Sequence, residues 1–460
     1  MIRKRLFVLG LYLCLFALPL GVIADRLEKD TVIQGIKCKG GHWVDFYYNK
    51  KFKEVVLSGN QVIHGIKCMG WPFSKYYDND KSWRSDFKKV LFYESGQLKS
   101  APLAEDQIIQ GIKCKGGYPV SFYGNGKLKD IVLVGDRSTI QIVQELKCRG
   151  GSRINFYKSG KIEDAYLARD QVIQGIKCEG ASGERLRYVS TGVSFHESGK
   201  LKYARLSQDQ KIQGMKCAGC TEVKFYKSGK LKSAYLSRGQ EIQRIKINYV
   251  KAEFYESGKF REIIPTGWPE QIKIQRIWFC ERIEFYESEK IKISKAFLSH
   301  DEIIQGIKCK GGDDYCVKFY ESGKLKHATL VANQIIQGIE CWEGRDVEFY
   351  ESGRIKKTYL VRSKKIQRIE CWGDIEFYKD GKLKSAVLAK DQSVGRVSYK
   401  KGMKIYLNKK SEVVSEGGRV VNKGTAAAGR ERMSNKGIGW FYFLYKIQIV
   451  QVTYRRIKDD

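Results

Sequence analysis

Residues 212–236 read Ile-Gln-Gly-Met-Lys-Cys-Ala-Gly-Cys-Thr-Glu-Val-Lys-Phe-Tyr-Lys-Ser-Gly-Lys-Leu-Lys-Ser-Ala-Tyr-Leu, and the chain repeats this pattern. Another clear copy occupies residues 304–330. The sixth residue of each copy serves as a marker, and the markers recur with a basic period of about 30 residues, lengthened where loops are inserted. Such self-similarity predicts one repeat architecture where length alone would suggest about three domains. The twelve markers are Cys38, Cys68, Cys114, Cys148, Cys178, Cys217, Ile247, Phe279, Cys309, Cys341, Cys371 and Tyr399.

Each repeat has the composition of β-structure. Its segments are short and rich in Ile, Val, Phe and Tyr, they are separated by glycine-containing turns, and the whole chain has only 6 prolines. The sequences Glu-Ser-Gly-Lys at 321–324 and Lys-Asp-Gly-Lys at 379–382 are typical of hairpin turns, in which glycine supplies the positive φ. No stretch shows a sustained helical period. The sequence therefore predicts an all-β protein.

The number of repeats also predicts the size of the sheet. If each unit adds two antiparallel strands, the array contains about 24 strands in an open, elongated sheet of hairpins. A three-sided β-helix, in which each unit adds one rung, is the alternative. The Ser-Gly-Lys turns favour the hairpin array because they reverse the chain.

The segment Phe-Tyr-Lys-Ser-Gly-Lys-Leu-Lys at 225–232, with its equivalents in nearly every unit, resembles the MORN repeat. It is most similar to the variant found in YwqK-type antitoxin-component proteins, and the resemblance covers about residues 30–410. It implies an array of antiparallel hairpins in which the Ile-Gln-Gly-Ile segment is the second strand. Ser-Gly in place of Asn-Gly, a longer period and an inserted Cys-x-Gly-Gly loop depart from the family pattern. Because MORN arrays occur in unrelated proteins, the resemblance implies a scaffold more strongly than an activity.

The N-terminus has the features of a secretory signal peptide. Arg3, Lys4 and Arg5 precede an apolar stretch that ends at Ala24, just before Asp25. A retained signal anchor and lipidation of Cys14 are alternatives. The predicted organisation is therefore a signal peptide at 1–24, a MORN-like repeat domain at 25–408, a glycine-rich linker at 409–437 and an aromatic cap or tail at 438–460.

The charge of the chain favours an anionic partner. Lys and Arg total 84 against 51 Asp and Glu, and removing three signal-peptide charges changes the net charge from +33 to +30. Export to the periplasm, to the outer membrane surface or to the medium argues against nucleic acid as the natural ligand. After signal cleavage no apolar run is long enough for a transmembrane helix.

The sequence shows no catalytic constellation. Its five histidines fall at unrelated positions in their repeats, and no nucleophile motif or nucleotide-binding loop is present. We therefore expect no enzyme activity, no cofactor and no metal-binding residues.

Two sets of repeated side chains are candidates for a binding surface. Lysines two residues apart share one face of a strand, and we expect them to form a basic ribbon for acidic glycan, lipopolysaccharide or lipid. A purely solubilising role is the alternative. These candidate anion-binding lysines are Lys200, Lys202, Lys230, Lys232, Lys324, Lys326, Lys382 and Lys384.

The second set consists of tyrosines. In each Phe-Tyr pair the two rings point to opposite faces, so that one stripe is core. The tyrosine stripe either packs under loops or offers a stacking surface to sugars or to a protein. Its members are Tyr226, Tyr255, Tyr286, Tyr320, Tyr350 and Tyr378. His196 takes the tyrosine position in one unit, as an aromatic substitute.

The marker cysteines are expected to be buried free thiols. In a two-strand repeat, neighbouring markers are about 9.6 Å apart, too far for a disulfide. Cys217 and Cys220 have the spacing of a redox or zinc motif but lack its other elements. Cys309 and Cys316 flank one loop, and a disulfide between them is expected in an oxidising compartment.

These observations predict an exported, non-enzymatic repeat scaffold that binds a protein or an anionic surface ligand. The family resemblance implies an alternative, an antitoxin or immunity-like protein that neutralises an exported toxin.

Overall fold

The computed structural model describes residues 24–71, 89–181, 192–266, 271–288, 290, 292–395 and 397–414. These residues form β-strands, turns and loops, and none of them is helical. No helix in this part of the chain is able to cross a membrane. Contacts divide the chain into two compact units, Met1–Ala328 and Thr329–Asp460.

The first unit contains a main sheet of antiparallel strands. Each strand pairs with the sheet strand before it and the one after it, so that the sheet is a meander. Its strands are Ala24–Arg26, Trp43–Phe46, Phe52–Val55, Val90–Phe92, Leu98–Pro102, Pro119–Phe122, Leu128–Val132, Arg153–Phe156, Ile162–Tyr166, Gly192–Phe195, Leu201–Arg205, Glu222–Phe225, Leu231–Leu236, Val250–Phe254, Phe260–Pro265, Ile277–Phe285, Ile293–Leu298, Cys316–Phe319 and Leu325–Thr329.

A second, shorter hairpin lies between successive sheet hairpins, and we call it the arm. The arms of the first unit are Thr31–Ile33 with Ile36–Cys38, Gln61–Ile63 with Ile66–Cys68, Gln107–Ile109 with Ile112–Cys114, Ile140–Val143 with Leu146–Arg149, Gln171–Ile173 with Ile176–Cys178, Gln210–Ile212 with Met215–Cys217, Gln240–Ile242 with Ile245–Ile247, Ile272–Ile274 with the start of Ile277–Phe285, and Glu302–Ile304 with Ile307–Cys309.

The second unit is built in the same way. Its sheet strands are Asp346–Phe349, Ile355–Tyr359, Ile369–Phe377, Leu383–Leu388, Lys404–Leu407 and Val413–Val414. Its arms are Gln334–Ile336 with Ile339–Cys341, Lys364–Ile366 with the start of Ile369–Phe377, and Gln392–Val394 with Val397–Tyr399.

The core of each repeat lies between the arm and the sheet hairpin that follows it. Cys217 at the end of one arm pairs with Leu236 at the end of its sheet hairpin, and both are fully buried. Phe254 and Phe260 face each other across the next hairpin and are also buried. Because strands alternate their side chains, one residue in two points into this layer and the others point outward.

The structure confirms the prediction of an all-β array of antiparallel hairpins. In the described residues, every marker lies in the second strand of an arm, and the main sheet gains two strands per repeat as expected. The arm itself was not predicted. Ile-Gln-Gly-Ile is not one strand, because Ile173 pairs with Ile176 across a two-residue turn.

The described residues cover only parts of the predicted terminal segments. Of the predicted signal peptide only Ala24 is described, and it begins the strand that pairs with Trp43–Phe46. Val413–Val414 pairs with Lys404–Leu407, past the predicted end of the repeat domain at residue 408. Residues 415–437 of the predicted linker and the whole predicted tail lie outside the described residues.

Candidate binding surface

Tyr-x-Ser-Gly-Lys, or a close variant of it, forms the turn of the sheet hairpins. In the repeat at 222–236, the Tyr226 N–H donates to the Lys230 carbonyl and the Gly229 N–H donates to the Tyr226 carbonyl, at 2.8 and 2.9 Å. Gly229 has a φ of 91°, which a residue with a side chain adopts only with strain. A register shift next to Phe225 accompanies this turn, as in hairpins that close with a glycine bulge.

The predicted tyrosine stripe connects neighbouring repeats. The Tyr226 hydroxyl donates to the Phe254 carbonyl of the next repeat at 2.7 Å, and Tyr255 donates to Phe285 at 2.8 Å. The rings are half-buried, so that one side remains at the surface. Burial raises the pKa of Tyr255. The same bond recurs at Tyr47, Tyr93, Tyr123, Tyr157, Tyr286, Tyr350 and Tyr378.

His196 occupies the same position and keeps the same contact. Its Nε2 lies 3.1 Å from the Phe225 carbonyl. The imidazole therefore replaces the tyrosine in the structure of the repeat, which is the role that the sequence predicted for it.

The second lysine of each predicted pair lies over a tyrosine ring in several repeats. Lys232 Nζ is 5.5 Å from the centre of the Tyr226 ring, and Lys326 Nζ is 5.3 Å from that of Tyr320. Both ammonium groups are on exposed side chains. Lys202 is also exposed, whereas Lys384 is half-buried and pairs with Glu376 at 3.1 Å. Outside the predicted set, the arrangement is repeated by Lys99 over Tyr93 and Lys129 over Tyr123.

The first lysine of a pair links adjacent turns. Lys200 Nζ donates to the Ser228 carbonyl at 2.8 Å, and Lys382 Nζ donates to the Lys409 carbonyl at 2.9 Å. Lys230 and Lys324 are exposed at the same position of their turns. These lysines therefore carry charge at the surface while some of them also join one repeat to the next.

A glutamine at the turn of most arms anchors the arm to the sheet. Gln213 donates from Nε2 to the Gly229 carbonyl at 2.9 Å, and its Oε1 accepts from the Leu231 N–H at 3.0 Å. Gln213 and Gly214 both have positive φ, 46° and 90°, as a two-residue type I′ turn requires. Nothing in the repeat pattern indicated that this side chain is structural.

A second glutamine joins consecutive arms. Gln240, at the start of one arm, accepts from the Lys216 N–H at 2.9 Å and donates to the Lys216 carbonyl at 2.7 Å. The carboxamide thus satisfies both backbone groups at the edge of the preceding arm. Gln61 and Gln107 make the same pair of bonds to Lys37 and Lys67.

The marker cysteines form a buried ladder. Cys38, Cys178 and Cys217 are fully buried, and each thiol lies 3.3–3.6 Å from the carbonyl two residues before it. Burial raises the pKa of Cys178 and of Cys217 to about 12, because a thiolate would lose its solvation there. These thiols therefore act as small apolar side chains.

Three further cysteines of the described chain, Cys220, Cys280 and Cys316, are not markers, and none of the three is buried. Cys309 is buried and Cys316 is half-buried, and the disulfide between them stays a prediction. Cys220 is exposed while Cys217 is buried. In the described part of the chain, no group of three or more His, Cys, Asp or Glu side chains is placed to hold a metal ion.

The outer face of the arms carries a further set of repeated exposed residues, which are not among the predicted sites. Val62 and Lys67 pair across their arm and both point outward, and Val62 is 63% exposed. Neighbouring arms place Val32 beside Lys37, and Ile108 beside Lys113, in the same way. The signal was present as alternation in Gln-Val-Ile and Ile-Lys-Cys, but its meaning depends on the two segments forming a hairpin.

Comparisons with known proteins do not assign this chain to a family. No family model matches the chain, and no curated protein matches it. A crystal structure of TcdB2-TccC3-TEV is similar with a TM-score of 0.13 and 10% identity, over 85% of this chain and 20% of that chain. A Photorhabdus luminescens Tc holotoxin pore is similar with a TM-score of 0.10 and 9% identity, over 70% of this chain and 20% of that chain. The chain thus spans about a fifth of these structures' chains, and both TM-scores are far below those of proteins that share a fold.

Proposed function

We propose that this protein is an exported, non-enzymatic scaffold of MORN-like repeats that binds an anionic ligand of the cell envelope, such as glycan, lipopolysaccharide or lipid. One observation carries the proposal: the arrangement of an exposed lysine over a half-buried tyrosine recurs in several repeats. It is present at Lys99 with Tyr93, and at Lys232 with Tyr226. Each pair offers a positive charge beside an aromatic surface.

The tyrosines add rigidity to this surface. Since each Tyr hydroxyl is held by the backbone of the next repeat, as Tyr226 is by Phe254, the rings and the lysines above them keep a fixed spacing. Binding would therefore sum weak contacts without ordering the scaffold. A lysine close to an anionic surface contributes about 1 kcal/mol at physiological salt.

The experiment compares two quadruple variants of residues 25–460 for binding to immobilised lipopolysaccharide and to phosphatidylglycerol vesicles. The first replaces lysines that lie over tyrosines, Lys99→Gln, Lys129→Gln, Lys232→Gln and Lys326→Gln. The matched control removes the same charge from exposed lysines elsewhere, Lys29→Gln, Lys158→Gln, Lys211→Gln and Lys227→Gln.

We expect the first variant to bind at least about tenfold more weakly, with a shallower dependence on salt, and the control to bind more nearly as the unmodified protein does. Equal losses in both variants would show that net charge and not this surface is responsible. If neither anionic surface bound and the protein instead captured one partner protein in a complex that resists high salt, the function would be protein binding and the proposal would be wrong.

A further inference from the structure

Five consecutive arms of the first unit share an outer face, which we call the arm row. Each arm contributes one exposed aliphatic residue and, directly opposite on the other strand, one exposed lysine. The aliphatic side chains are 63–73% exposed. The pairs are Val32 with Lys37, Val62 with Lys67, Ile108 with Lys113, Ile142 with Lys147, and Val172 with Lys177.

The arms of the row are fixed side by side. Gln61 binds the backbone of Lys37, Gln107 that of Lys67, and Gln141 the carbonyl of Lys113. Gln171 binds the backbone of Lys147 in the same way. The row is therefore a preorganised surface in which aliphatic and cationic side chains alternate.

The fold itself does not require these aliphatic residues. Three later arms of the same unit have Lys211, Glu241 and Lys273 at the equivalent position, and those arms form the same hairpins. Other repeated residues have an internal partner, as Gln213 and Tyr226 do. A contiguous set of exposed aliphatic side chains without such a role is typical of an interaction surface.

The spacing of the row restricts the shape of a partner. The main sheet gains two strands per repeat, so that equivalent side chains of the arms recur every 9.6 Å or so along the row. A polyproline II segment repeats each face after three residues, or about 9.3 Å. An α-helix repeats after seven residues, or about 10.5 Å, and would lose register across five arms by about 3.6 Å. A β-strand repeats every two residues, at about 6.7 Å, and does not match.

The charge of the row restricts the chemistry of a partner. A lysine stands next to each aliphatic side chain, and Lys67 already pairs with the carboxylate of Glu105, which lies just before the next arm. A partner with carboxylates between its apolar residues would therefore be attracted along the whole row.

We infer that the arm row binds an acidic polypeptide segment in the polyproline II conformation, with an aliphatic residue at every third position. The aliphatic residues of the segment pack against those of the arms, and its carboxylates lie beside the lysines. This surface is separate from the tyrosine and lysine pairs of the proposed function, and each inference stands without the other.

The probe is a fluorescein-labelled peptide of five Val-Glu-Pro repeats, and binding to residues 25–460 is followed by fluorescence anisotropy. The control peptide, of Val-Glu-Pro-Ser repeats, keeps the chemistry but changes the period. The test variant carries Val62→Thr, Ile108→Thr and Ile142→Thr. A matched control carries Ile303→Thr and Ile335→Thr, two residues with similar exposure outside the row. Circular dichroism verifies that both variants are folded.

We expect saturable binding of the three-residue repeat, and at least about tenfold weaker binding both for the four-residue repeat and for the test variant. The control variant should bind as the unmodified protein does. Equal binding of the two peptides, or an unchanged affinity of the test variant, would overturn the inference. The inference would also be overturned if the peptide did not bind and anionic vesicles bound instead, with that binding abolished by the three threonine substitutions. The row would then be a lipid-binding surface.

Discussion

The two faces of a single arm differ in why their residues are repeated. In the arm at 61–68, Ile63 and Cys68 point inward and are buried, whereas Val62 and Lys67 point outward and are exposed. The inner residues recur because the repeat must fill the same space between arm and sheet each time. The outer residues recur only in some of the arms, so packing does not account for them. Repetition in a sequence therefore identifies a structural role only after the direction of the side chain is known.

The largest effect on stability should come from ionising the cysteine thiols on the inner face of the arms. Burial raises the pKa of Cys178 to about 12, whereas an unfolded thiol ionises near 9. The folded protein thus holds this proton more tightly, so that the contribution of the thiol to stability is constant below pH 9 and falls as the pH rises from 9 to 12. Each tenfold difference in proton affinity between the folded and unfolded states corresponds to about 1.4 kcal/mol per thiol.

Urea unfolding at pH 8, 10 and 11 under reducing conditions measures this loss of stability. The Cys178→Ala variant should show a smaller decline with pH than the unmodified protein, because one buried ionisable group is gone. An identical decline in the two proteins would contradict the account.

A smaller effect should follow from detaching an arm from its sheet hairpin. Gln213→Ala removes two hydrogen bonds and leaves the Gly229 carbonyl and the Leu231 N–H without that partner. We expect a loss of about 1–3 kcal/mol in the free energy of unfolding, measured by urea titration. Lys211→Ala, an exposed residue of the same arm, is the control. A loss of the same size in the control would show that the glutamine anchor is unimportant.

Removing one hydroxyl of the tyrosine stripe should reduce the free energy of unfolding by less than Gln213→Ala does. Tyr226→Phe deletes the bond to the Phe254 carbonyl, and we expect a loss of about 0.5–1.5 kcal/mol. His196→Phe removes the equivalent contact to Phe225 and should give a loss in the same range. Thermal unfolding of both variants tests this, and an unchanged melting temperature in both would exclude a stabilising role for the stripe.

The smallest effect on stability should be on the outer face. Val62→Thr changes a side chain that is 63% exposed and keeps its β-branched shape. We expect the free energy of unfolding to stay within about 0.5 kcal/mol of the unmodified value. If urea titration showed a loss as large as that of Gln213→Ala, Val62 would belong with the packing residues and the contrast between the two faces would fail.

Much of the fold could be predicted from local chemistry. The Ser-Gly-Lys segments required a turn, the alternation of Phe225 with its neighbours required a strand, and the recurrence of both required an array. The free thiol of Cys217 followed from the strand spacing, which is too wide for a disulfide between neighbouring markers. These properties depend on residues close together in the chain, where backbone sterics and side-chain alternation decide the outcome.

The arm could not be predicted as easily. Gln174 adopts a positive φ, of 51°, which glutamine rarely does, and it is held there by Gly199 and Leu201 of the following hairpin. The preference of glutamine for negative φ is overridden by hydrogen bonds to residues about 25 positions away in sequence. No local pattern at Ile-Gln-Gly-Ile reveals those bonds.

The candidate surfaces show the same division. The lysine and tyrosine positions of the hairpin were evident from their period, but the bond of each tyrosine to the next repeat was not. The arm row was missed because Val62 and Lys67 lie on opposite sides of the turn at His64 and Gly65, and the family resemblance implies a continuous strand at that turn.

Residue type and period are sufficient to establish that this protein is a β-repeat with a marker cysteine, a glycine-closed hairpin and an excess of basic residues. They are not sufficient to establish which repeated residues face inward and which face outward, and that information comes from the three-dimensional arrangement. The reason is that a two-residue turn folds each arm back on itself, and glutamine carboxamides hydrogen-bonded to distant residues hold it there.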